Sequence, residues 1–312
     1  MSELRDLVAT ELPPRSRTAP PDLAVDVIGR NDLLHRRSIE RVILAMREQL
    51  DQPMDNQQFA EIACLSPFHF NRVFHRVTGI PPIQFHYALR LQRAKELLLS
   101  TDRCVTEICF DVGYNSLGTF TSRFTMLIGM APSAFRSFAR SVASVRLDQL
   151  GLPDGEHDDA GANSIAGSVQ LPARGVGMTF VAVFRRGIPE GRPIACALTA
   201  TARYRLPLPE SGRWRVFSVF APWRATLAEL LTFDGLLRGR SGLLTVELDR
   251  WWGDSSIRLE LPQIHHPPVL LNLPMLIGRC LASTSTRNIA AGSNTSPDVE
   301  TALRGLETRV AV

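Results

Sequence analysis

Cysteine is scarce in this sequence, and its arrangement excludes two common kinds of stabilisation. The five cysteines are scattered and odd in number, with no C-x-x-C pair and no histidines at the spacing of a zinc finger. A disulfide scaffold and a structural zinc site are therefore not expected. We expect no metal and no cofactor.

Long apolar runs are missing as well. No stretch reaches the roughly 18 to 20 apolar residues that a membrane-spanning helix needs. The N-terminal residues lack a basic segment followed by an apolar stretch of signal-peptide length, and prolines interrupt them at 13, 14, 20 and 21. The sequence therefore predicts a cytoplasmic protein with no membrane partner.

Basic and acidic residues nearly balance, and lysine is almost absent. Lys95 is the only lysine, and every other basic residue is arginine. The net charge of +4 over 312 residues is too small to identify a nucleic-acid-binding protein, although the pI of about 9.0 permits one. The surplus is concentrated, because residues 36–140 contain 13 basic and 9 acidic residues.

Changes in composition divide the chain into five segments. Residues 1–34 are rich in proline and arginine and are predicted to be a disordered leader, whereas residues 35–140 carry apolar residues at helical spacing. A polar, glycine-rich linker is predicted over 141–166 and a β-rich domain over 167–278. Residues 279–312 are predicted to be a mostly disordered tail. The expected fold class is α plus β, with an all-α domain followed by a small antiparallel β-sandwich.

The helical segment contains an internal sequence repeat, with one copy at 59–85 and the other at 105–135. Glu61 and Ile62 of the first copy match Glu107 and Ile108 of the second. Five further residues recur at a common register, with Phe70, Phe74, Gly79, Pro82 and Phe85 matching Phe120, Phe124, Gly129, Pro132 and Phe135. Each copy reads as a helix, a turn and a second helix. This double helix-turn-helix pattern is typical of proteins that place the second helix in the DNA major groove.

The residues around the buried phenylalanines are the candidate DNA contacts. In the first recognition helix they are Phe68, His69, Asn71, Arg72 and Arg76. Asparagine and arginine form bidentate hydrogen bonds with adenine and guanine, which favours direct base reading by this helix. In the second recognition helix they are Leu117, Gly118, Thr119, Thr121, Ser122 and Arg123. This second set has few base-reading groups, so we expect it to make phosphate contacts and apolar or shape readout.

Residues from about 39 to 140 resemble the DNA-binding region of the AraC/XylS family of bacterial transcription regulators. The residues that carry the resemblance are Ala94, Leu97, Leu98, Val105, Ile108, Gly113, Tyr114, Phe120, Phe124, Gly129, Pro132 and Phe135. The resemblance implies an N-terminal DNA-binding domain, with base-facing positions at Phe68, Asn71 and Arg72 and at Leu117, Gly118, Thr121 and Ser122. Cys109 and Ser122 depart from the family, which usually has alanine at the first position and often arginine at the second.

Two expectations about DNA binding follow. A long helix between the two units should hold them about one DNA turn, roughly 34 Å, apart, so that one chain reads both halves of a site without dimerising. Arginines such as Arg72, Arg76, Arg90 and Arg123 should displace counterions from phosphates, so that binding weakens steeply with salt.

The β-rich segment contains five short runs that predict strands, at 176–184, 194–204, 214–221, 242–249 and 256–261. The stretch 187–220 weakly resembles transthyretin-like sandwiches, with Pro209, Ser211–Gly212 and Trp214 at the matching turn and aromatic strand. Such a fold implies no activity, because a site has to be argued from its own residues.

No catalytic pattern is present in this half. It has no Ser-His-Asp order, nucleophile elbow or phosphate loop, so we expect no catalytic residues and no enzyme. His265 and His266 are adjacent, and neighbouring residues of an extended strand point in opposite directions, which disfavours a shared metal ion. This half contains four tryptophans, Trp214, Trp223, Trp251 and Trp252. They either fill a small core or line a ligand pocket, and the first interpretation is favoured.

These patterns predict a sequence-specific, DNA-binding transcription regulator that acts on double-stranded promoter DNA. Two hypotheses remain for the β-domain. In the first it senses a small-molecule effector, because members of the family commonly respond to effectors. In the second it is a protein-interaction module without a ligand, which mediates self-association or contact with RNA polymerase. The operator, the effector and the direction of regulation stay open.

Overall fold

The computed structural model describes residues 22–150, 152, 164–171, 176–185, 188–207, 209–233, 235–248 and 250–277, with side chains from residue 31 onward. The first 21 residues of the predicted leader, most of the predicted linker after residue 150 and the whole predicted tail lie outside the described residues. None of the described helices is long and apolar enough to cross a membrane.

Seven α-helices form the described part of the chain before residue 143. They are α1 (Asp22–Glu48), α2 (Asn56–Ala63), α3 (Pro67–Thr78), α4 (Pro82–Ser100), α5 (Val105–Asp111), α6 (Leu117–Ile128) and α7 (Pro132–Val142). The pairs α2–α3 and α5–α6 are the two helix-turn-helix units, and α4 connects them. The disordered leader predicted over 1–34 is wrong for residues 22–34, because α1 begins at Asp22. No proline lies between Pro21 and Pro53 to interrupt its backbone hydrogen bonds.

Local signals in the sequence set the ends of these helices. Asp55 caps α2, accepting hydrogen bonds at Oδ1 from the backbone N–H groups of Gln57 and Gln58, both at 2.9 Å. The Gln58 side chain accepts in return from the Asp55 backbone N–H, which completes the capping box that the sequence predicts. The helix α3 begins with proline at its first position and ends at Gly79, whose φ of 86° is accessible mainly to glycine.

A chain of aromatic rings forms the core of each helix-turn-helix unit. In the first, the ring centroids of Phe70 and Phe74 are 5.5 Å apart, and Phe74 lies 5.5 Å from Phe85 of α4. In the second, the equivalent distances are 5.7 Å for the pair Phe120 and Phe124 and 5.6 Å for the pair Phe124 and Phe135. All six rings are fully buried. The sequence repeat thus corresponds to one packing arrangement used twice.

Nine strands and one helix follow among the described residues. They are β1 (Ser164–Gln170), β2 (Gly177–Phe184), β3 (Ala195–Thr199), β4 (Arg203–Pro207), β5 (Gly212–Pro222), α8 (Leu227–Thr232), β6 (Leu237–Arg240), β7 (Leu244–Glu247), β8 (Arg250–Trp252) and β9 (Ile257–Arg258). One sheet has the order β4-β1-β9, and the other has the order β3-β2-β5-β7-β8 with β6 also paired to β5. Residues 273–277 form a last helical turn.

The sheets differ from the predicted sandwich in two respects. First, β1 and β9 run parallel, so the small sheet is not purely antiparallel, and the transthyretin-like arrangement is not confirmed. Second, the predicted strand 194–204 is two strands, β3 and β4, separated by a turn. In addition, β1 begins at Ser164, inside the predicted linker, and the predicted strand 256–261 is only two residues long.

The linker predicted over 141–166 is partly wrong. Residues Leu147–Gln149 form a 3-10 turn, and Leu147 and Leu150 are buried. The backbone N–H of Leu147 donates to the Ala225 carbonyl at 3.0 Å, and that of Leu227 donates to the Val145 carbonyl at 2.8 Å. These apolar residues bury their side chains against the start of α8, so the segment after α7 is packed structure rather than a free connection.

The large sheet has two buried faces. One face packs against the small sheet, with Trp214, Val181 and Ile257 in this core. The other face, which includes Phe180 and Phe217, belongs to the same continuous hydrophobic core as the helices. The helical and β-rich parts therefore share a core instead of being joined only by a linker.

The only lysine of the chain lies at this shared core. Lys95 of α4 is 3% exposed, and its Nζ donates to the backbone carbonyls of Leu271 at 3.2 Å and Val269 at 3.5 Å. The same ammonium lies 5.0 Å from the ring centroid of Phe233. A lysine at this place satisfies two carbonyl groups that lie too deep for water.

We expect Lys95→Met to lower the free energy of unfolding by about 1–3 kcal/mol, because it leaves these buried carbonyls without a donor. Urea unfolding followed by tryptophan fluorescence and by helical circular dichroism measures the loss. In the wild-type chain the two signals should change together, because the core is shared. Arg93→Met, at an exposed position of the same helix, is the matched control and should be close to neutral. Equal stability of the two variants would contradict this role of Lys95.

Candidate nucleic-acid interface

The helix α3 presents a polar and aromatic face beside its buried phenylalanines. Phe70, Val73 and Phe74 are fully buried. Phe68 is 81% exposed, and Arg72, His75 and Arg76 are also exposed. An exposed phenylalanine near the start of a helix, followed by exposed arginines one and two turns later, is available for contact with a partner surface.

His69 and Arg76 of α3 contact the N-terminal half of α1. The ring centroids of His69 and His35 are 5.6 Å apart, and an Arg76 Nη1 atom lies 4.0 Å from an Asp32 carboxylate oxygen. Among the described residues, the hydrogen-bonded contact of Arg72 is to its neighbour on the same helix, with Nη2 3.1 Å from His69 Nδ1. Arg72 therefore keeps most of its donors directed to solvent, whereas Arg76 has an acidic neighbour.

Asn71 is less accessible than the sequence suggests. Its Nδ2 donates to the Pro67 carbonyl at 2.9 Å, and its Oδ1 accepts from Asn56 Nδ2 of α2 at 3.3 Å. Both ends of the amide thus have partners inside the first helix-turn-helix unit. Base reading by Asn71 would require exchange of these bonds for bonds to a base.

The equivalent face of α6 is small and weakly polar. Leu117 is 39% exposed, and Gly118, Thr119 and Ser122 are exposed, whereas Thr121 is half-buried. The hydroxyl of Ser116, which precedes the helix, accepts from the Thr119 backbone N–H at 3.4 Å. Among the described residues of this face, none carries a fully exposed charge.

Arg123 is the one charged side chain on that face, and it is held by its own protein. Its guanidinium carbon lies 4.3 Å from the ring centroid of Tyr87, which belongs to α4, and Arg123 is half-buried. A guanidinium stacked on an aromatic face gains cation–π stabilisation. Arg123 therefore joins the second recognition helix to the connecting helix.

Arg90 corrects an expectation from the sequence, because it is not available for phosphates. The residue is only 9% exposed. Its Nη2 donates to the Gln52 carbonyl at 2.9 Å, before the first unit, and its Nη1 donates to the Gly113 carbonyl at 2.8 Å, in the turn of the second unit. Because a Cβ on Gly113 would collide with this guanidinium and with the Leu50 carbonyl, only glycine fits there. Arg90 thus links the segment that leads into the first unit to the turn of the second unit.

His86, one turn before Arg90, completes the same buried network. Its Nε2 accepts from Arg90 Nε at 3.2 Å, which requires a neutral imidazole. Burial, reinforced by the Arg90 charge, lowers the pKa of His86 to about 4. The unfolded chain takes up this proton near pH 6.5, so the stabilisation is complete above pH 6.5 and is lost as the pH falls towards 4.

We therefore expect the free energy of unfolding to fall by about 3 kcal/mol through His86 alone between pH 7.5 and pH 4. Urea unfolding at several pH values measures this fall. His86→Gln keeps an acceptor and a donor but does not titrate, so the variant should lose less stability than the wild-type chain over this range. Identical pH profiles for the two proteins would contradict the assignment.

The two adjacent histidines near the C-terminal end of the described chain each lie close to a different carboxylate, and they do not point to a common site. His265 Nδ1 lies 3.5 Å from a Glu40 carboxylate oxygen of α1, and His266 Nε2 lies 3.1 Å from a Glu260 carboxylate oxygen. Burial and the neighbouring cationic groups lower the pKa of His266 to about 4. Within the described residues, no group of three or more potential ligands is arranged for a metal ion.

A protein-family comparison matches part of this helical region. Residues 59–137, from α2 to α7, match the family described as a helix-turn-helix domain. The matched domain lies in the interior of the chain, so the N-terminal placement implied by the resemblance is not supported. The match covers both recognition helices and the connecting helix.

Several curated proteins with similar sequences are named as regulators, among them the transcriptional regulator ArgR of Pseudomonas aeruginosa, which is 26% identical over 102 residues. The MmsAB operon regulatory protein of Pseudomonas aeruginosa is 35% identical over 95 residues, which are 30% of this chain and 31% of that protein. The Transposon Tn10 TetD protein of Escherichia coli is 30% identical over 102 residues, which are 33% of this chain and 74% of TetD. The chain spans about a third of the length of the first relatives it matches.

Solved structures match the same third of the chain. The DNA-binding domain of AdpA, described in complex with a target DNA, is 28% identical, with a TM-score of 0.32 over 33% of this chain and 93% of that domain. The C-terminal domain of AraT from Geobacillus stearothermophilus is also 28% identical, with a TM-score of 0.31 over 32% of this chain and 84% of that domain.

Proposed function

Because the chain belongs to the AraC family of helix-turn-helix regulators, we propose that it is a sequence-specific, DNA-binding transcription regulator of promoter DNA in the bacterial cytoplasm. The observation that carries the proposal is the repeated unit, in which each recognition helix buries its phenylalanines and leaves a solvent-facing side. The likeness concerns DNA binding, and we infer no catalytic role for the chain.

The two recognition helices divide the work of DNA recognition. The first offers Arg72, Arg76 and His69 as hydrogen-bonding groups and Phe68 as an apolar contact for a thymine methyl or a sugar. The second offers Leu117, Gly118, Thr119, Thr121 and Ser122, which suit close approach and shape readout. Arg123 reaches phosphate only by leaving Tyr87, so we expect its contribution to be small.

The network around Arg90 sets the spacing of the two helices. Since Arg90 joins the segment before the first unit to the turn of the second, and Arg123 stacks on α4, the two recognition helices should keep a fixed relative position. A rigid pair favours two adjacent major-groove segments on one face of the duplex. We therefore propose that a single chain occupies the whole site.

The β-rich domain supports a second role, as a contact surface for RNA polymerase or for another copy of this chain. Its edge strand β8 and the preceding turn expose Trp252 at 51% and Leu248 at 86%. Large exposed apolar residues beside an unpaired strand edge are typical of interaction sites. The alternative role, as a sensor of a small molecule, depends on a cavity and is developed below.

Selection of bound sequences from a random DNA library, using the full chain, tests the proposed function. We expect enrichment of one sequence with two conserved segments about one helical turn apart. The affinity for that sequence should fall steeply between low and physiological salt, because arginines displace counterions. Failure to enrich any sequence, or an affinity independent of salt, would refute the proposal.

A further inference from the structure

A cavity lies within the β-rich domain, on the face of the large sheet that shares its core with the helices, and all its lining residues lie between positions 180 and 271. It has a volume of about 410 Å³, which is within the usual range for a site that holds a small organic molecule. One wall is apolar and is formed by three phenylalanines of the large sheet and by the C-terminal segment, namely Phe180, Phe184, Phe217, Val269 and Leu271. The rings of Phe184 and Phe217 meet edge to face with centroids 5.6 Å apart.

Beside these apolar residues, the lining is rich in arginine. Arg238 and Arg240 of β6 and Arg258 of β9 line the cavity, together with the acidic residues Asp254 and Glu260. Both acids already have partners, since Asp254 Oδ1 accepts from the Ser256 backbone N–H at 2.9 Å and Glu260 lies 3.1 Å from His266. Both carboxylates stay charged, because these partners are a backbone N–H group and a neutral imidazole, so the three arginines of the lining exceed its two acidic residues by one positive charge.

Arg240 of β6 is the cavity arginine that lies directly beside the phenylalanines of the large sheet. In strand register it faces Phe217, so its guanidinium extends over the apolar wall. Burial and the neighbouring Arg215 lower the pKa of Arg240, and Glu260 offsets this only in part. An anion placed beside it would supply a further counter-charge.

The same guanidinium contacts the first recognition helix. Arg240 Nη1 donates to the Thr78 carbonyl at 3.2 Å, at the C-terminal end of α3. A Cβ on Gly79, which ends α3, would collide with this guanidinium. The apolar wall is also tied to the helical domain, because Lys95 of α4 binds the carbonyls of Val269 and Leu271. A ligand in the cavity would therefore touch groups that position α3 and α4.

We propose that this cavity binds a small organic carboxylate with an apolar body, whose carboxylate pairs with Arg240 and whose body packs on Phe180, Phe184 and Phe217. Arginine forms bidentate bonds with carboxylates, and the aromatic wall excludes bare inorganic anions from most of the volume. Ligand binding competes with the Thr78 carbonyl for Arg240 and so changes the position of α3. This coupling rests on the proposed DNA-binding function, whereas the binding itself does not.

Calorimetric titration of the full chain without DNA tests the binding. The probes are 3-phenylpropanoate and 4-methylpentanoate, their neutral amides, and acetate as an anion without an apolar body. We expect at least one of the two carboxylates to bind at least tenfold more tightly than its amide and than acetate. Arg240→Gln should abolish this preference, while Arg213→Gln, an exposed arginine on β5, should retain it.

A second variant, Phe217→Leu, tests the same site in case Arg240→Gln does not fold. Phe217→Leu keeps an apolar residue in the core and should weaken carboxylate binding about fivefold or more, with an unchanged circular dichroism spectrum. Equal binding of carboxylate and amide, binding that survives Arg240→Gln, or no heat from either carboxylate at millimolar concentration would overturn the proposal. A DNA titration with and without the bound carboxylate then tests the coupling, and an unchanged DNA affinity would refute the coupling alone.

Discussion

Arg72→Ala is expected to weaken binding to the selected DNA sequence by about 10- to 100-fold, because one bidentate base contact contributes about 1–3 kcal/mol of discrimination. Arg72 is exposed on α3, and within the described part of the chain its guanidinium bonds to His69 of the same helix. Its removal therefore leaves no buried group without a partner, and the fold should be unaffected. Fluorescence anisotropy at fixed salt, with the selected and a scrambled duplex, measures the effect.

The matched control is Arg213→Ala, which removes the same charge from an exposed position on β5. If Arg72 reads a base, its loss reduces the preference for the selected duplex over the scrambled one, whereas the control changes neither affinity. A uniform loss on both duplexes would assign Arg72 to phosphate contact instead. Wild-type affinity and preference in Arg72→Ala would contradict its place in the recognition surface.

Arg90→Ala is expected to lower the free energy of unfolding by about 3 kcal/mol or more, for a reason unrelated to DNA. The substitution removes three hydrogen bonds and the buried guanidinium, and it leaves the buried His86 imidazole and the part-buried carbonyls of Gln52 and Gly113 without this donor, at about 1 kcal/mol or more for each. DNA affinity should also fall, because the two recognition helices lose their fixed spacing. Urea unfolding and a salt titration of DNA binding measure the two effects.

Arg90→Lys separates this account from direct phosphate contact. Lysine keeps the charge but presents a single donor group that does not span both carbonyls, so we expect a loss of stability close to that of the alanine variant. The slope of log affinity against log salt should stay at its wild-type value in both variants. A lysine variant with normal stability, or a slope reduced by about one in the alanine variant, would show that Arg90 contacts a phosphate after all.

The helical half could be predicted from the sequence because its signals are local. Phenylalanines at three- and four-residue spacing, the capping box at Asp55 and Gln58 and the glycines that end α3 and α6 each act within one or two turns. Because the unit is repeated, the same phenylalanine spacing and terminal glycine occur in both recognition helices. The candidate contacts on both recognition helices remain predictions, although the structure places most of them on exposed or half-buried faces.

The role of Arg90 could not be predicted, because nothing in its sequence neighbourhood distinguishes it from an exposed arginine. Its partners lie 38 and 23 residues away, and only folding brings them together. The same applies to Lys95, which meets carbonyls 174 and 176 residues further along the chain. For Asn71 the sequence suggested a hydrogen bond to adenine, but the structure shows both ends of its amide bonded within the first helix-turn-helix unit.

The missed strands have weak local signals. The strand β1 is rich in serine, alanine and glycine, β6 alternates leucine and glycine with arginine, and β8 has only three residues. Their pairing is set by longer neighbours, notably β5, which pairs with three other strands. Non-local pairing of this kind leaves little trace in any short stretch of sequence.

Hydroxyl-radical footprinting of the full chain on its selected duplex tests the central claim most directly, that one chain reads DNA with two rigidly spaced recognition helices. We predict two protected segments about one helical turn apart on the same face of the duplex, at a stoichiometry of one chain per site. Arg72→Ala should weaken protection mainly in one segment. A single protected segment, or two segments that require two chains, would contradict the account.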